Sequence, residues 1–484
     1  MASRLVIVSN RVAAPQCESQ PKAGGLAVAV KAAMKNRAGL WFGWSGRIVS
    51  ADEEVSVLAA PQCVKRNHLA FALIDLSATD YQEYYSGFAN RVLWPVLHYR
   101  VDLQDYLRAD ASGYLRVNRL FADNLGPFLR DADVIWVHDY HLMPLARELR
   151  KRGHANPIGF FLHIPCAPPD ILQTVPHHED IVGALTHYDL VGFQTERDCD
   201  NFGDYLLSLG ARRERRWSFE IDGRRVRIGA FPVGVESRVF TRLARKSARA
   251  PFVQAIRESL GRQRLILSVD RLDYSKGVLH RLQAFERFLE AYPEWRGEVT
   301  LMQIAPRSRA DIKEYAEIES AVAEFVGKVN GHYGEPDWTP IRYINRTFPR
   351  GDLAGLYRHA DVAMVTPLRD GMNLVAKEFL AAQDPDDPGV LVLSEFAGAA
   401  AELNKALIVN PHEIEGVAAT LKRALEMSRD ERRERHAPMR EHLLVADIGR
   451  WAEDYLLALG EARHYPGILE NLRGLFGNFI NHRQ

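Results

Sequence analysis

The chain has 484 residues, of which 47% are hydrophobic and 26% charged, and its 62 basic residues equal its 62 acidic residues in number. Both fractions lie near the globular average, which excludes a disordered or fibrous chain. The formal charge of zero provides no overall basic field that would attract nucleic acid or anionic lipid.

Other features of the whole chain are typical of an ordinary globular protein. The apolar runs fall well short of the roughly 20 residues that a membrane-spanning helix needs. The chain enters a strand-like run at Arg4 without the features of a signal peptide. The cysteines show neither disulfide nor zinc-ligand spacing; they are Cys17, Cys63, Cys166 and Cys199. We therefore expect a soluble, cytoplasmic protein without a disulfide framework or a zinc site.

Short β-branched runs alternate with amphipathic helical patterns along most of the chain. Continuous apolar runs are typical of strands buried on both faces of a parallel sheet, so the alternation predicts a doubly wound α/β architecture. The strand candidates are Leu5–Ser9, Val134–Val137, Ile158–Phe161, Leu190–Phe193, Leu265–Val269, Val299–Ile304, Ile341–Ile344, Val362–Val365 and Val390–Leu393. The helical patterns include Leu142–Arg152, Leu279–Tyr292, Ala310–Val326 and Ile414–Met427.

The length suits two Rossmann-like domains better than three small ones. A boundary is expected near Phe231–Arg238, because a basic stretch follows it and leads to a new strand at Leu265. The predicted domains are then 1–235 and 236–454, with tail helices of about 455–484 packing back onto the first. Open α/β sheets bind ligands beyond the carboxyl ends of their strands, so residues that follow strands are the candidates for a site.

Three such places occur in the first predicted domain. Arg11 ends the first strand, and Gly24 and Gly25 open a helix where backbone N–H groups can approach a phosphate or sugar. Taken alone, paired glycines are weak evidence for a site, because loop glycines often only make turns. Asp139 and His163 follow two neighbouring strands, where they would meet sugar hydroxyls. Taken singly, Asp139 is better explained as a helix cap and His163 as a satisfied buried histidine.

Basic residues follow two strands of the second predicted domain. Arg271 and Lys276 stand five residues apart in one turn, where a guanidinium and an ammonium suit a diphosphate; the alternative is a solvated basic turn. Arg307 and Arg309 follow the next strand and suit a phosphate monoester, whereas ion pairs to nearby acidic residues are the alternative.

The segment Thr366–Glu378 carries the strongest signal. Asp370 and Asn373 would hold hydroxyls, and the N–H groups at a helix start near Leu374 would bind a diphosphate. Glu378 lies one turn into that helix, where a carboxylate can accept both hydroxyls of a ribose. With the basic turn in the same half, this predicts a nucleotide-diphosphate site. A phosphate-binding loop of the NTPase type and a Gly-x-Gly-x-x-Gly after the first strand are both absent, which argues against an NTPase and a dinucleotide oxidoreductase.

The motifs as a set closely resemble those of the trehalose-6-phosphate synthases, which are retaining glucosyltransferases. They are Ser9–Arg11, Gly24–Leu26, Trp41–Gly46, Leu93–Tyr99, His138–His141, Arg271–Gly277 and Arg369–Glu378. The resemblance runs from Ser3 to about Gly460. It implies the GT-B fold, in which two Rossmann-like domains face each other across a cleft. It also implies transfer of glucose from UDP-glucose to glucose 6-phosphate, giving α,α-trehalose 6-phosphate and UDP.

The same resemblance implies roles for individual residues. The donor site would comprise Gly24, Gly25, Arg271, Lys276, Phe348, Asp370, Gly371, Met372, Asn373, Leu374, Val375, Ala376, Lys377 and Glu378. The acceptor site would comprise Arg11, Tyr85, Trp94, Asp139 and Arg309. The catalytic residues would be Arg271, Lys276, His163 and Asp370. Phe348 would lie beside the uracil, while His163 and Asp370 would contact the donor glucose.

Further expectations follow from the resemblance. It implies front-face substitution without a metal or another cofactor. Cys166 and Ala167 stand where the family usually has an aromatic residue and a proline, which would loosen the wall beside the donor sugar. We expect a homo-oligomer, a dimer or tetramer, and a separate phosphatase acting downstream, because no phosphatase half follows. The alternatives are a glucosylglycerol-phosphate synthase that uses glycerol 3-phosphate, an inactive sugar-phosphate sensor and, more distantly, a dehydrogenase.

Overall fold

The chain folds into two units. The computed structural model describes residues 4–13, 30, 33–34, 38–49, 61–66, 68–308 and 313–462. The first unit comprises Met1–Pro232 together with Ile448–Gln484, and the second comprises Val233–Asp447. The boundaries expected from the sequence, after residues 235 and 454, lie farther along the chain at both places.

The first unit is built on a ten-stranded sheet in the order β3-β4-β2-β1-β5-β6-β7-β10-β9-β8. The strands from β4 to β10 in this order are parallel, whereas β3, β9 and β8 extend the two edges with antiparallel pairs. The strands are β1 (Leu5–Arg11), β2 (Gly39–Val49), β3 (Gln62–Arg66), β4 (Leu69–Ser77), β5 (Val134–His138), β6 (Ile158–Phe161), β7 (Leu190–Phe193), β8 (Arg212–Arg215), β9 (Ser218–Ile221) and β10 (Arg224–Ala230). Strands β5, β6 and β7 are buried throughout, as their apolar sequences predict.

The helices of the first unit include an unusual one. They are α1 (Ala78–Asp80), a π-helix (Tyr81–Leu93), α2 (Trp94–Leu97), α3 (Arg108–Leu125), α4 (Leu145–Lys151), α5 (Pro169–Leu172), α6 (His178–Ile181) and α7 (Glu196–Ser208). A π-helix of 13 residues is uncommon, because most are single-turn bulges, and π-helical turns are frequent at functional sites. Its sequence carries no signal that separates it from an α-helix.

The second unit has a six-stranded parallel sheet in the order β13-β12-β11-β14-β15-β16. Its strands are β11 (Arg264–Val269), β12 (Val299–Ile304), β13 (Ile341–Ile344), β14 (Val362–Val365), β15 (Val390–Ser394) and β16 (Leu407–Val409). Its helices are α8 (Ser237–Ser247), α9 (Pro251–Leu260), α10 (Val278–Ala291), α11 (Lys313–Tyr333), α12 (Arg350–His359), α13 (Leu374–Ala382), α14 (Ile414–Glu426) and α15 (Arg429–Val445). Numbered within the unit, the strand order is 3-2-1-4-5-6, that of a dinucleotide-binding doubly wound fold.

The core of the second unit follows from the periodicity of its helices. In α10, Val278, Leu282, Phe285 and Leu289 recur at helical spacing and are completely buried in the hydrophobic core. This spacing places them on one face of the helix. The parallel sheets with intervening helices confirm the expected doubly wound α/β architecture in both units. Of the helices in the described residues, none is long and apolar enough to cross a membrane.

Every strand candidate from the sequence lies within an observed strand, but several elements were missed. The edge strands β3 and β8 read Gln-Cys-Val-Lys-Arg and Arg-Arg-Glu-Arg, without the apolar run that identifies a buried strand. Charged edge strands of this kind prevent pairing with other chains, so their polarity has a physical reason. The helix expected at Leu142–Arg152 begins at Leu145, and the one expected from Ala310 is observed at Lys313–Tyr333.

A last helix, α16 (Ile448–Ala462), returns to the first unit. Its Tyr455 is completely buried, and the hydroxyl donates to the carbonyl oxygens of Phe160 (2.9 Å) and Leu190 (3.3 Å). The ring stacks on Trp136 with centroids 4.4 Å apart. A Cβ atom on Gly159 would lie 2.3 Å from the Tyr455 hydroxyl oxygen, so glycine at that point of β6 leaves the space that the ring occupies.

We expect Gly159→Ala to destabilise the protein by about 1–3 kcal/mol, because the added methyl group overpacks a close contact. Tyr455→Phe removes the hydroxyl oxygen that the methyl group would meet. The double variant should therefore lose less stability than the two single effects added together. Urea unfolding of the four proteins measures this coupling. Strictly additive losses would contradict the contact.

Candidate active site

The strand order reverses beside the first strand of each sheet. In the second unit β11 lies between β12 and β14, and in the first unit β1 lies between β2 and β5. Ligands of doubly wound folds bind at such reversals, beyond the carboxyl ends of the strands. Arg271 and Asp370 follow β11 and β14, while Arg11 and Asp139 stand at the ends of β1 and β5. Each unit therefore brings predicted site residues to its reversal point.

An ion pair joins the two loops at the reversal point of the second unit. The ammonium of Lys276 lies 2.6 Å from a carboxylate oxygen of Asp370, and both side chains are largely buried. Asn373 donates to the same carboxylate at 3.0 Å. The backbone also connects the loops, because Leu368 N–H donates to the Ser275 carbonyl at 2.8 Å. Three residues predicted from two separate motifs thus form one cluster.

A buried carboxylate shapes the turn that carries Lys276. Asp273 is completely buried and accepts hydrogen bonds from the backbone and hydroxyl of Ser275 and from the hydroxyl of Tyr315. Gly277 follows with a positive φ of 62°, and a Cβ there would lie 2.7 Å from the carbonyl oxygen of Thr366. Glycine is required at this position by both conformation and close approach. Asp273 therefore shapes the turn from a buried position.

Helix α13 begins directly after this cluster. Asn373 has a φ of 77°, and its side-chain oxygen caps the helix by accepting from the N–H of Ala376 at 3.3 Å. Leu374 and Val375 are the first two residues of the helix, where backbone N–H groups have no intrahelical acceptor. They are partly exposed, and the positive end of the helix dipole lies with them. The start of α13 is thus suited to an anion.

Lys377 and Glu378, which are neighbours in α13, differ in environment. The side chain of Lys377 is completely buried, where its ammonium donates to the carbonyl of Val233 and pairs with Glu402. A contact of Lys377 with a ligand would therefore involve its backbone. Glu378 is partly exposed, and burial raises its pKa to about 7, against the opposing charge of Arg350. Its carboxyl group therefore changes charge near neutral pH.

Other predicted donor residues are placed separately in the second unit. Phe348 packs on Phe252 with ring centroids 5.2 Å apart, and the guanidinium of Arg346 lies over its ring at 4.8 Å. Arg271 is exposed immediately after β11. Arg307 is exposed and pairs with Glu319, which agrees with the ion-pair alternative for this arginine.

Aromatic rings surround the end of β1 in the first unit. The guanidinium of Arg11 lies over Trp44 at 5.8 Å, and a Cβ on Gly46 would collide with that guanidinium. Trp44 contacts Tyr85, which in turn stacks on His141 with the two rings nearly parallel. Arg11 and Tyr85, both expected in the acceptor site from the family resemblance, are thus linked through Trp44.

The π-helix holds Tyr85 in this arrangement. Tyr84 is completely buried, and its hydroxyl donates to the side-chain oxygen of Asn10 at 2.9 Å. Asn90 donates to the carbonyl of Tyr85 at 2.7 Å and accepts from the hydroxyl of Tyr140 at 2.9 Å. These bonds tie the helix to the end of β1 and to the turn that follows β5. Asn90 and Tyr84 are functional candidates that the sequence did not reveal.

Asp139 has a strained backbone. Its φ of 76° is unusual for a residue other than glycine, and such strain is typically retained at functional sites. Its carboxylate accepts from the backbone N–H of His163 at 3.3 Å, and no side-chain bond caps the following helical turn. The structure thus brings Asp139 and His163 together and does not support the helix-cap interpretation.

His163 forms a pair with a second histidine. Its Nε2 lies 3.1 Å from Nδ1 of the buried His138, so its Nδ1 is the ring nitrogen left for another partner. Burial lowers the pKa of His163 to about 3 and that of His138 well below its ordinary value. Both rings are therefore neutral at pH 7. The hydrogen bond to His138 agrees with the interpretation of His163 as a structural histidine. Its partial exposure agrees with the interpretation as a ligand-binding residue.

Trp94 and Cys166 are two further residues of the first unit that the sequence analysis singled out. Trp94 is 4% exposed and packs between the rings of His98 and Tyr140. Cys166 is buried, with its N–H donating to Asp198 at 2.8 Å and its carbonyl accepting from Asn201 at 2.8 Å. The loop after His163 is therefore fastened by its backbone despite the small residues at 166 and 167.

Some predictions lie outside the described residues, namely Gly24, Gly25 and Arg309. Where the structure is described, no three His, Cys, Asp or Glu side chains are grouped in a way that would hold a metal ion. The roles of the individual site residues stay predictions.

Comparison with known families decides which proteins this chain is related to. The sequence matches the family model of glycosyltransferase family 20 over residues 3–461. The chain belongs to glycosyltransferase family 20.

Relatives within family 20 are similar over nearly their whole length. A trehalose-6-phosphate synthase of Sinorhizobium fredii (strain NBRC 101917 / NGR234) is 52% identical over 461 residues, which covers 94% of this chain and 97% of the relative. An α,α-trehalose-phosphate synthase (UDP-forming) from Burkholderia vietnamiensis has a TM-score of 0.92 at 46% identity, covering 96% of this chain and 98% of that one. The corresponding protein from Burkholderia xenovorans, in complex with glucose-6-phosphate, has a TM-score of 0.90 at 47% identity, covering 94% and 100%. These matches confirm the family resemblance and the fold class, two Rossmann-like domains of the GT-B type.

The raised pKa of Glu378 predicts how the stability of this family 20 protein depends on pH. A carboxyl group whose pKa rises from 4.5 to about 7 on folding stabilises the folded state when protonated. That contribution is complete below pH 4.5 and is lost as the pH rises through 7. Glu378→Gln should therefore gain about 1–2 kcal/mol of stability relative to the parent protein between pH 5 and pH 8, less than full burial would give.

Urea unfolding at both pH values measures this difference. Glu395→Gln is the matched control, because Glu395 is an exposed glutamate of the same unit. Equal pH dependence in the two variants would contradict the raised pKa of Glu378.

Proposed function

We propose that the chain transfers glucose from UDP-glucose to glucose 6-phosphate, giving α,α-trehalose 6-phosphate and UDP with retention at the anomeric carbon. The observation that carries the proposal is the Lys276–Asp370–Asn373 cluster, which stands at the strand reversal beside a free helix start. This is the combination that a nucleotide sugar requires: cations and backbone N–H groups for phosphates, and carboxylate and amide groups for hydroxyls. Membership of family 20 and the named relatives support the same reaction.

The second unit is proposed to bind the donor. Arg271 and Lys276 bind the diphosphate together with the N–H groups of Leu374 and Val375. Glu378 accepts hydrogen bonds from the ribose. The remaining predicted donor residues are Gly24, Gly25, Phe348, Asp370, Gly371, Met372, Asn373, Ala376 and Lys377, with Phe348 beside the uracil. Asp370 contacts the glucose, and so does His163 from the first unit.

The first unit is proposed to bind the acceptor. Arg11 and Tyr85 are supported by their link through Trp44, which holds a cation and a phenol at the end of β1. They would bind the phosphate of glucose 6-phosphate together with Arg309. Asp139 and Trp94 line the sugar pocket, where the strained Asp139 presents a carboxylate to hydroxyls. The complex of the Burkholderia xenovorans relative with glucose-6-phosphate supports this acceptor.

The chemistry proposed is substitution on one face of the sugar. The carboxylates best placed to act as a nucleophile already have hydrogen-bond partners. Asp370 accepts hydrogen bonds from Lys276 and Asn373, and Asp139 accepts one from the backbone N–H of His163. The leaving phosphate would then take the acceptor proton. Arg271, Lys276 and the start of α13 stabilise the charge that develops on the leaving diphosphate. Protein cations fill the role that a metal has in other transferases.

The wider setting is also a proposal. A homo-oligomer, a dimer or tetramer, and a cytoplasmic location are consistent with the sequence. The product is a phosphate monoester, so a separate phosphatase would act on it to release the free disaccharide.

Arg271→Ala should lower turnover at saturating UDP-glucose by about 100-fold, because a preorganised cation no longer stabilises the leaving diphosphate. Arg262→Ala is the control, since Arg262 is also exposed but stands before β11, at the opposite end of that strand. Its turnover should equal that of the parent protein. Steady-state UDP release measures both, and near-normal turnover of Arg271→Ala would remove that residue from the catalytic set.

UDP release from UDP-glucose should depend on glucose 6-phosphate and persist in the presence of EDTA. Mass spectrometry of the product should show a disaccharide phosphate. Release with glycerol 3-phosphate in place of glucose 6-phosphate would instead support the glucosylglycerol-phosphate activity. Donor binding without release with either acceptor would support the sensor. Activity that EDTA abolishes and magnesium restores would contradict the metal-independent mechanism.

A further inference from the structure

Arg281 is a buried cation directly behind the proposed diphosphate site. Its side chain has no solvent exposure, although it carries a full positive charge. It belongs to the first turn of α10, immediately after the loop of Lys276. The sequence offers no sign of this role, because an arginine in an amphipathic helix normally faces solvent.

Each of the three nitrogens of the Arg281 guanidinium donates at least one hydrogen bond. Its Nε donates to the hydroxyl of Thr366 at 3.0 Å, and Nη1 donates to the side chain of Gln303 at 3.1 Å. Its Nη2 donates to the carboxylate of Asp270 at 2.9 Å and to the carbonyl of Lys276 at 3.2 Å. A buried guanidinium needs pairing of this kind, with a carboxylate and with acceptors for its other nitrogens.

These partners belong to three neighbouring strands. Asp270 follows β11, Gln303 lies in β12, and Thr366 follows β14. Arg281 therefore fastens together the carboxyl ends of β12, β11 and β14, on both sides of the strand reversal. The bond to the Lys276 carbonyl extends this connection into the loop above.

Stability alone does not explain the choice of arginine. Well-packed apolar residues in place of a buried ion pair are often neutral or stabilising, because both charges lose their hydration on folding. An apolar residue, however, would not hold the Lys276 carbonyl. The charged side chains here balance in two pairs, Arg281 with Asp270 and Lys276 with Asp370. A donor would then bring two negative phosphates to this balanced set.

We propose that Arg281 is a positioning residue for the donor diphosphate: it fixes the backbone of Lys276 relative to the loop of Asp370, so that the ammonium is preorganised for the phosphates. Arg281 does not touch the donor. The inference rests on the proposed function, since it concerns the diphosphate part of that site.

The decisive variant removes both buried charges together. Arg281→Met/Asp270→Asn leaves no unpaired charge in the core, so the protein should remain folded with a melting temperature close to that of the parent. Its Kd for UDP should rise at least about tenfold, the loss expected when a charged hydrogen-bonding group is no longer held in place. Its Kd for uridine, which carries no phosphate, should be unchanged, as should its Kd for glucose 6-phosphate.

Two further variants complete the experiment. Thr366→Val removes one acceptor of Arg281 with little change of shape, and its Kd for UDP should rise by about three- to tenfold. Arg358→Lys is the matched control: Arg358 is a largely buried arginine of the same unit, paired with Asp384, and it precedes β14 instead of following it. Its affinity for UDP should equal that of the parent. Calorimetry measures UDP and glucose 6-phosphate, and ligand-observed NMR measures uridine.

The outcomes separate the inference from the function on which it rests. Parent protein that binds no UDP would overturn the proposed function and this inference together. Parent protein that binds UDP, with unchanged affinity in the double variant and in Thr366→Val, would overturn the inference alone. Equal losses for UDP and uridine would also overturn it, because they would indicate general damage to the fold. If the double variant does not fold, Thr366→Val decides whether the inference holds. Its loss of affinity for UDP must then exceed its loss of affinity for uridine.

Discussion

The loops after β11 and β14 lie side by side because the strand order of the second sheet reverses between them. In a doubly wound sheet the chain leaves the two strands at such a reversal in opposite directions, and a crevice opens beyond their carboxyl ends. The Lys276–Asp370 pair depends on this placement, since its members are 94 residues apart in sequence. The close approach of Gly277 to the Thr366 carbonyl has the same origin. The first unit repeats the arrangement around β1 and β5.

The two reversal points are held in different ways. In the second unit, ion pairs and buried carboxylates fix the loops, as Lys276, Asp273 and Arg281 illustrate. In the first, tyrosine hydroxyls and stacked rings fix them, with Asn90 joining the π-helix to Tyr140. The difference suits the proposed ligands, because a diphosphate needs concentrated positive charge whereas a sugar presents hydroxyls and apolar faces.

Much of the fold was predictable because burial imposes a simple pattern. Strands such as β5 and β14 are buried on both faces, so their sequences are continuous apolar runs. The strand ends then locate the loops, and the motifs after them locate Lys276, Asp370 and Asn373. The charged strands β3 and β8 could not be recognised in this way, because edge strands do not need apolar side chains. A π-helix has the same composition as an α-helix and leaves no periodic signal over 13 residues.

The residues that the sequence could not reveal act through partners far away in the chain. Arg281 meets Thr366 across 85 residues, and Tyr84 meets Asn10 across 74, so neither pairing has a local signature. Lys377 illustrates the converse: it lies within the strongest motif, yet its side chain is turned into the core toward Glu402. A motif locates the backbone of a site, whereas tertiary packing decides which of its side chains are presented. Helix α13 follows this rule, because Leu374 and Val375 offer backbone groups to a ligand while Lys377, one turn later, secures the helix to Val233.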